Sequence, residues 1–251
     1  MGNLSQTVWK RSAPFKPTSS NIRTSSEVRS GWQSGNWSGY AIKKTKRNSF
    51  HTISGYWIVP RVKAGRTVAY SSAWIGIDGF RNRSLIQTGT EQDYERGKPV
   101  YYAWWEILPA PETIIRFPVS PGNLMYARIS RLRKNKWMIL LRNKTKGWTF
   151  KRVTTYKGPA ASAEWIVEAP SINGKTTRLA NYGKMRFSKC RLNRKNALLK
   201  TEHRGVMIQN NRVVSTPSLP NKSKNGFTVA YGSAASSTAK YVRRKHLPRH
   251  K

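Results

Sequence analysis

The residues best suited to hydrolytic chemistry in this chain are its few carboxylates. Ten Asp and Glu occur among 251 residues, against 47 Lys and Arg. Eight of the ten lie between positions 78 and 168, and Glu27 and Glu202 lie outside that third of the chain. A carboxylate can take a proton from an attacking water molecule and then return a proton to the leaving group. The clustering therefore favours a functional site within residues 78–168, with chance clustering as the alternative.

Several other catalytic and metal-binding patterns are absent from the sequence. It contains no Gly-x-Ser-x-Gly elbow, no phosphate-binding loop, no His-Glu-x-x-His and no Asp-Thr-Gly pair. Cys190 is the only cysteine, so it cannot form an intramolecular disulfide or a cysteine-rich zinc site. His246 and His250 are four residues apart, but Pro248 and a basic tail surround them. We therefore expect neither a metal nor a cofactor.

The elements that must position these carboxylates have the sequence pattern of β-strands. Residues 52–59 and 72–78 are short apolar runs that end at Pro60 and Gly79. In residues 124–130 the apolar and polar side chains alternate, which is typical of a half-buried strand. Residues 137–156 have the pattern of a hairpin, and a helical apolar stripe is doubtful even in residues 195–202. The sequence predicts an all-β protein, an antiparallel β-sandwich.

Five aromatic-rich segments, in order and spacing, resemble the glutamic peptidase (eqolisin) family. They are residues 36–40 (Asn-Trp-Ser-Gly-Tyr), 73–79 (Ala-Trp-Ile-Gly-Ile-Asp-Gly), 85–89 (Leu-Ile-Gln-Thr-Gly), 102–106 (Tyr-Ala-Trp-Trp-Glu) and 163–168 (Ala-Glu-Trp-Ile-Val-Glu). The resemblance runs from about residue 31 to 232. It implies two curved sheets of the concanavalin A-like or jelly-roll type, whose concave face binds an extended polypeptide.

The same resemblance implies a catalytic pair of one glutamine and one glutamate, which fall on Gln87 and Glu168. It also implies that Trp74, Asp78 and Glu106 surround the pair and shape its pocket. Strand alternation alone cannot choose between Glu164 and Glu168, because an even spacing places both on one face. The family's register chooses Glu168.

Gln87 and Glu168 suit peptide hydrolysis on chemical grounds. A glutamate carboxylate can act first as base and then as acid, and a neutral amide N–H can stabilise the oxyanion of the tetrahedral intermediate. An amide does not titrate, so the pair needs no shared proton. We expect an endopeptidase that acts on polypeptides, with acid activity implied by the resemblance.

The chain divides into three parts by composition. Residues 1–30 are predicted to be a flexible basic arm or propeptide-like segment, residues 31–238 the β-sandwich domain, and residues 239–251 a basic tail. The N-terminus lacks the apolar segment of a secretory signal, although the resemblance suggests a secreted enzyme. No stretch is long and apolar enough to span a membrane, and we expect a monomer.

The formal net charge of +37 predicts attraction to anionic polymers. Arg131, Arg133, Lys134, Lys136 and residues 184–200 are the candidate binding surface. The alternative function is a catalytically inactive β-sandwich that binds polyanions or carbohydrate. A nucleic-acid-binding protein is a third possibility, but the sequence has no motif of a recognised nucleic-acid module, so we expect no specific nucleic-acid partner.

Overall fold

The computed structural model describes residues 10–11, 13–18 and 31–234. The predicted basic tail, 239–251, lies outside these residues, as does most of the predicted N-terminal arm. The strands are β1 Lys10–Arg11, β2 Trp32–Ser34, β3 Trp37–Lys43, β4 Thr52–Ile58, β5 Ser72–Ile77, β6 Ile86–Glu95, β7 Lys98–Ile107, β8 Thr113–Ile115, β9 Leu124–Arg133, β10 Lys136–Asn143, β11 Thr149–Thr155, β12 Ser162–Glu168, β13 Ser171–Ile172, β14 Lys175–Thr176, β15 Lys184–Leu192, β16 Lys195–Asn196, β17 Arg204–Gln209, β18 Arg212–Pro217 and β19 Phe227–Tyr231. A short 3-10 helix spans Thr201–His203, in the region where the sequence left a helix doubtful.

The strands form a sandwich of two layers joined along one edge. The hydrogen-bonded order is β11, β10, β9, β4, β15, β19, β18, β17, β3, β12, β5, β6, β7 and β8. This path folds back on itself, so that β4, β9, β10 and β15 pack against β5, β6 and β12. The pairing along this path is antiparallel, and the short β2 joins β17 in parallel. The predicted antiparallel β-sandwich is confirmed.

Strand β12 lies at the centre of the layer that carries the predicted site. All seven of its residues are buried, because both faces of the strand are covered. Ala163, Trp165 and Val167 pack into the main core between the layers. Ile166, on the opposite face of the strand, belongs to a second cluster with several tryptophans. Glu164 and Glu168 share that opposite face with Ile166, because side chains alternate along a strand.

Cys190 is part of the main core. Its side chain is completely buried, and burial raises the pKa of the thiol far above its ordinary value. A thiol in this environment stays protonated and unreactive. Among the described residues, no helix is long and apolar enough to cross a membrane.

Candidate active site

The face of β3, β12, β5, β6 and β7 that points away from the main core carries the predicted site residues, and we call it the site face. The strand registers arrange its side chains in three rows across the sheet. The first row holds Trp37, Glu168, Ser72, Glu91 and Tyr102; the second Gly39, Ile166, Trp74, Gly89 and Trp104; the third Ala41, Glu164, Gly76, Gln87 and Glu106. Both members of the predicted pair therefore lie on one face, in the outer two rows.

Glu168 is fully buried, and N–H groups from three parts of the chain point at its carboxylate. Trp74 Nε1 donates a hydrogen bond to Oε2 at 2.9 Å. Asn36 Nδ2 donates to Oε1 at 3.4 Å, and the backbone N–H of Ala13 donates to the same oxygen at 2.9 Å. An ionised carboxylate accepts such bonds through both oxygens, so these contacts fix its orientation.

Trp74 reaches Glu168 because the neighbouring position on its own face is glycine. A Cβ atom on Gly76 would lie 2.8 Å from Cζ3 of the Trp74 ring. The indole therefore lies over Gly76 and directs its Nε1 to Glu168. Trp37 packs edge-on against the same ring, with 4.9 Å between the ring centroids. The glycine at position 76 thus sets the geometry of the carboxylate.

Gln87 is held by Glu106, its cross-strand neighbour. Gln87 Nε2 donates a hydrogen bond to Glu106 Oε2 at 2.6 Å, and both side chains are buried. A carboxylate that accepts this bond requires the NH₂ group of the amide to face it, which orients the amide. The Gln87 carbonyl oxygen Oε1 is buried and has no hydrogen-bond partner within the described part of the chain. The amide therefore keeps hydrogen-bonding capacity that Glu106 does not use.

Asp78 lies just beyond β5 and anchors a loop. Its carboxylate accepts hydrogen bonds from the Tyr156 hydroxyl at 2.7 Å and from the backbone N–H groups of Ala160 at 2.7 Å and Ala161 at 2.9 Å. Asn82 Nδ2 donates a fourth bond at 3.3 Å. Burial first, and then the charge of Asp78, raise the pKa of Tyr156 far above its ordinary value. Through these contacts Asp78 stabilises the loop after β11.

Glu164 lies level with Gln87, across Gly76, but its surroundings differ from those of Glu168. Burial, together with the nearby charge of Asp78, raises the pKa of Glu164 well above its ordinary value of 4.5, and contacts with Ser162 and the Phe80 backbone oppose this rise only in part. A carboxyl group with a raised pKa holds its proton in acid. A raised pKa is also what a general acid requires, so the choice of Glu168 over Glu164 rests on the register of the family resemblance.

Gln87 and Glu168 lie two strands apart and on either side of the middle row. Ordinary strand spacing puts their Cα atoms about 10 Å apart across the sheet and about 13 Å apart along it. Trp74 fills the space between the two positions on the sheet. All three side chains are fully buried, so a polypeptide can reach Gln87 and Glu168 only after the residues that cover them move.

Sequence reasoning missed Asn36 and Ala13 as neighbours of Glu168. Asn36 belongs to one of the five aromatic-rich segments, but no periodicity assigns it a role. Its side chain also accepts a hydrogen bond from the Lys16 backbone N–H at 3.0 Å. Among residues 10–11, 13–18 and 31–234, no group of three or more His, Cys, Asp or Glu side chains is placed to hold a metal ion.

Comparisons with known proteins identify the family and the fold. A sequence model described as the Peptidase A4 family matches residues 35–231. Scytalido-glutamic peptidase, solved with a transition state analog inhibitor, superposes with a TM-score of 0.67 at 21% identity, covering 78% of this chain and 98% of that one. SCP-B, an eqolisin solved with the tripeptide Ala-Ile-His, gives 0.62 at 21% identity over the same shares of the two chains.

Aspergilloglutamic peptidase from Aspergillus niger gives a TM-score of 0.54 at 22% identity, covering 65% of this chain and 99% of that one. At these identities the structural likeness shows the fold. A search of curated proteins gave no significant match.

Proposed function

The chain belongs to the Peptidase A4 family and is a glutamic-type endopeptidase, and we propose that Gln87 and Glu168 are its catalytic pair. The observation that carries this proposal is that each group is held by a partner on one sheet face. Trp74 binds the carboxylate of Glu168, and Glu106 binds the amide of Gln87. A catalytic group held in this way does not have to be reoriented as the reaction proceeds.

In the proposed reaction Glu168 takes a proton from a water molecule as the water oxygen bonds to the peptide carbonyl carbon. The carbonyl oxygen becomes an oxyanion, and the second N–H of the Gln87 amide donates a hydrogen bond to it. Protonated Glu168 then gives its proton to the peptide nitrogen. The C–N bond breaks and releases a carboxylic acid and an amine. Trp74, Asn36 and Glu106 are positioning residues in this scheme.

We further propose that the enzyme is active in acid. The resemblance to the glutamic peptidases implies this, and the raised pKa of buried Glu164 bears on whether the fold persists in acid. A carboxyl group with a raised folded-state pKa stabilises the fold fully below its unfolded pKa, and this stabilisation is lost as the pH rises through the folded value. The contribution of Glu164 to stability is therefore greatest in acid.

The test of the pair is cleavage of a denatured protein substrate between pH 2 and 7. Gln87→Ala and Glu168→Gln should each lower kcat by about a hundredfold or more, because loss of one oxyanion donor alone typically has that effect. Circular dichroism and thermal melting must show that both variants are folded. A wild-type value of kcat in either folded variant would contradict the proposed pair.

We also propose that the outer surface binds anionic polymers. Six carboxylates are buried in the fold, namely Asp78, Glu91, Asp93, Glu106, Glu164 and Glu168. Because 47 Lys and Arg stand against only ten Asp and Glu, the field outside the protein is strongly positive. Residues 131–136 are at the β9–β10 hairpin, where Arg133 and Lys134 are exposed. On immobilised heparin the protein should elute at higher salt than a neutral β-sandwich, and co-elution with that control would contradict the proposal.

We propose that the enzyme acts as a monomer, since the sheet face that carries Gln87 and Glu168 is formed by consecutive pairings of β3, β12, β5, β6 and β7 and needs no strand from a second copy. Light scattering at micromolar concentration should give the mass of one chain. A stable dimer would contradict this proposal.

A further inference from the structure

Residues 13–17 lie along the site face as an extended peptide would. The Ala13 N–H donates to Glu168 Oε1 at 2.9 Å. Two residues further on, the Phe15 N–H donates to the Gly79 carbonyl at 3.1 Å. The Gly35 N–H donates to the Lys16 carbonyl at 3.0 Å, and Pro17 forms an antiparallel bridge with Ser34. The backbone contacts continue those of the sheet, which is the usual way for a protein to bind an extended chain.

Asn36 connects this segment to the catalytic carboxylate. Its Nδ2 lies 3.3 Å from the carbonyl oxygens of both Ala13 and Pro14, and 3.4 Å from Glu168 Oε1. Its Oδ1 accepts the N–H of Lys16 at 3.0 Å. One amide side chain thus fixes the positions of Ala13, Pro14 and Lys16 relative to Glu168.

The Phe15 side chain enters a pocket made of three aromatic rings. The ring centroids of Phe80, Trp32 and Trp37 lie 4.7, 5.6 and 6.1 Å from that of Phe15, all in edge contacts. The Trp32 and Phe80 rings also touch each other, at 5.4 Å. Three rings that surround one ring form a pocket selective for a flat aromatic side chain, because edge-to-face contacts add to the free energy gained by burying apolar area.

The register of the segment relates this pocket to the reaction. In the proposed mechanism Glu168 delivers a proton to the nitrogen of the cleaved bond, and the nitrogen that meets Glu168 here is that of Ala13. Ala13 therefore corresponds to the first residue after a cleaved bond, and Phe15 corresponds to the third. The Lys16 ammonium, at the fourth position, donates to Thr176 Oγ1 at 2.9 Å and lies 3.4 Å from Ser171 Oγ.

We propose that Trp32, Trp37 and Phe80 form a substrate side-chain subsite that selects an aromatic residue at the third position after the cleaved bond. The inference rests on the proposed roles of Gln87 and Glu168, because they define where cleavage occurs. Phe15 occupies this subsite from within the same chain. A substrate must displace residues 13–17 to reach Glu168, so Phe15→Ala opens the subsite for a test.

The test compares two ten-residue peptides. One has the sequence of residues 9–18, and the other has alanine in place of its phenylalanine. Binding is measured by fluorescence anisotropy to the full-length chain carrying Phe15→Ala and Gln87→Ala, which leaves the subsite free and prevents cleavage. The phenylalanine peptide should bind about tenfold more tightly or better, since burying a Phe side chain typically contributes at least that factor. Equal affinity of the two peptides overturns the proposal.

Variants of the pocket give a second comparison. Phe80→Leu, added to the same chain, should reduce the preference to about threefold or less, because it removes one of the three rings while keeping an apolar side chain. Phe117→Leu is the matched control, since Phe117 is 45% exposed and stacks on Trp148 away from the site face. An unchanged preference in folded Phe80→Leu overturns the proposal. The peptide comparison stands by itself if this variant does not fold.

Cleavage by the single variant Phe15→Ala separates this proposal from the catalytic one. Peptides that bind with the phenylalanine preference but are not cleaved support the subsite and contradict the catalytic pair. Cleavage with equal kcat/KM for both peptides overturns the subsite and leaves the catalytic pair standing. Cleavage at the bond that makes the phenylalanine the third residue of the released product supports both proposals, if kcat/KM is at least tenfold higher than for the alanine peptide.

Discussion

Trp74 is the residue whose contribution to the site is easiest to isolate. Its Nε1 donates to Glu168, while its ring packs against Trp37 and over Gly76. Trp74→Phe removes the donor and keeps most of the ring. A hydrogen bond to a charged group typically contributes about 1.5–3 kcal/mol, so we expect kcat to fall by roughly tenfold to a hundredfold with little change in KM.

Steady-state kinetics on one peptide substrate measure this effect. Trp137→Phe is the matched control, because Trp137 lies in the core of the opposite layer and should affect stability without affecting kcat. An unchanged kcat in Trp74→Phe would show that the indole N–H does not position Glu168.

At the scale of the elements, β5 controls the site through the spacing of its small and large residues. Because Gly76 has no side chain, it leaves room for the Trp74 ring. A Cβ atom at this position would also lie 2.9 Å from Leu85 Cδ1. Gly76→Ala should therefore push the indole away from Glu168 and lower kcat by roughly tenfold or more, with a destabilisation of about 1–3 kcal/mol from overpacking.

Chemical denaturation and kinetics on the same preparations check both parts of this prediction. Gly65→Ala is a suitable control, since the new Cβ would meet its nearest atom at 3.6 Å. Full activity in Gly76→Ala would mean that the Trp74 ring does not depend on this glycine.

The strands themselves could be predicted from the sequence, but the partners of the site residues could not. Alternation and turn residues were sufficient to predict β4, β5, β9 and the β10–β11 hairpin. The contact between Gln87 and Glu106 depends on the register of β6 and β7, which is set by the two-residue turn at Arg96 and Gly97, both with positive φ. That turn has no strong sequence signature, since arginine rarely takes this conformation.

Long-range contacts were beyond sequence reasoning for a different reason. Ala13 and Asn36 meet Glu168 across 155 and 132 residues of chain. Local periodicity cannot predict such a contact, because the contact depends on how distant segments of the sandwich pack together. The predicted role of Asp78 beside the catalytic pair remains a prediction, and its four hydrogen bonds favour a structural role in the loop after β11.

At the scale of the whole molecule, six of the nine carboxylates in the described residues are buried. Burial raises the pKa of Glu164 well above its ordinary value. Its contribution to the free energy of unfolding should be complete below about pH 4.5 and should decline as the pH rises through its folded pKa. In Glu164→Gln the neutral amide removes this decline.

Calorimetry from pH 4 to 7.5 tests this expectation. The melting temperature of Glu164→Gln relative to the wild type should increase steadily with pH across this range. A difference that is constant, or that decreases with pH, would show that Glu164 is not held in its protonated form by the fold.

The most direct test of the central claim compares the two glutamates that share one strand and one face. Glu168→Gln and Glu164→Gln make the same chemical change four residues apart on β12. With peptide cleavage measured at the wild-type pH optimum, we predict that Glu168→Gln loses at least a hundredfold in kcat, while Glu164→Gln stays within about fivefold of the wild type. The reverse result, with loss in Glu164→Gln and activity in Glu168→Gln, would contradict the assignment of Glu168 as the catalytic acid and base.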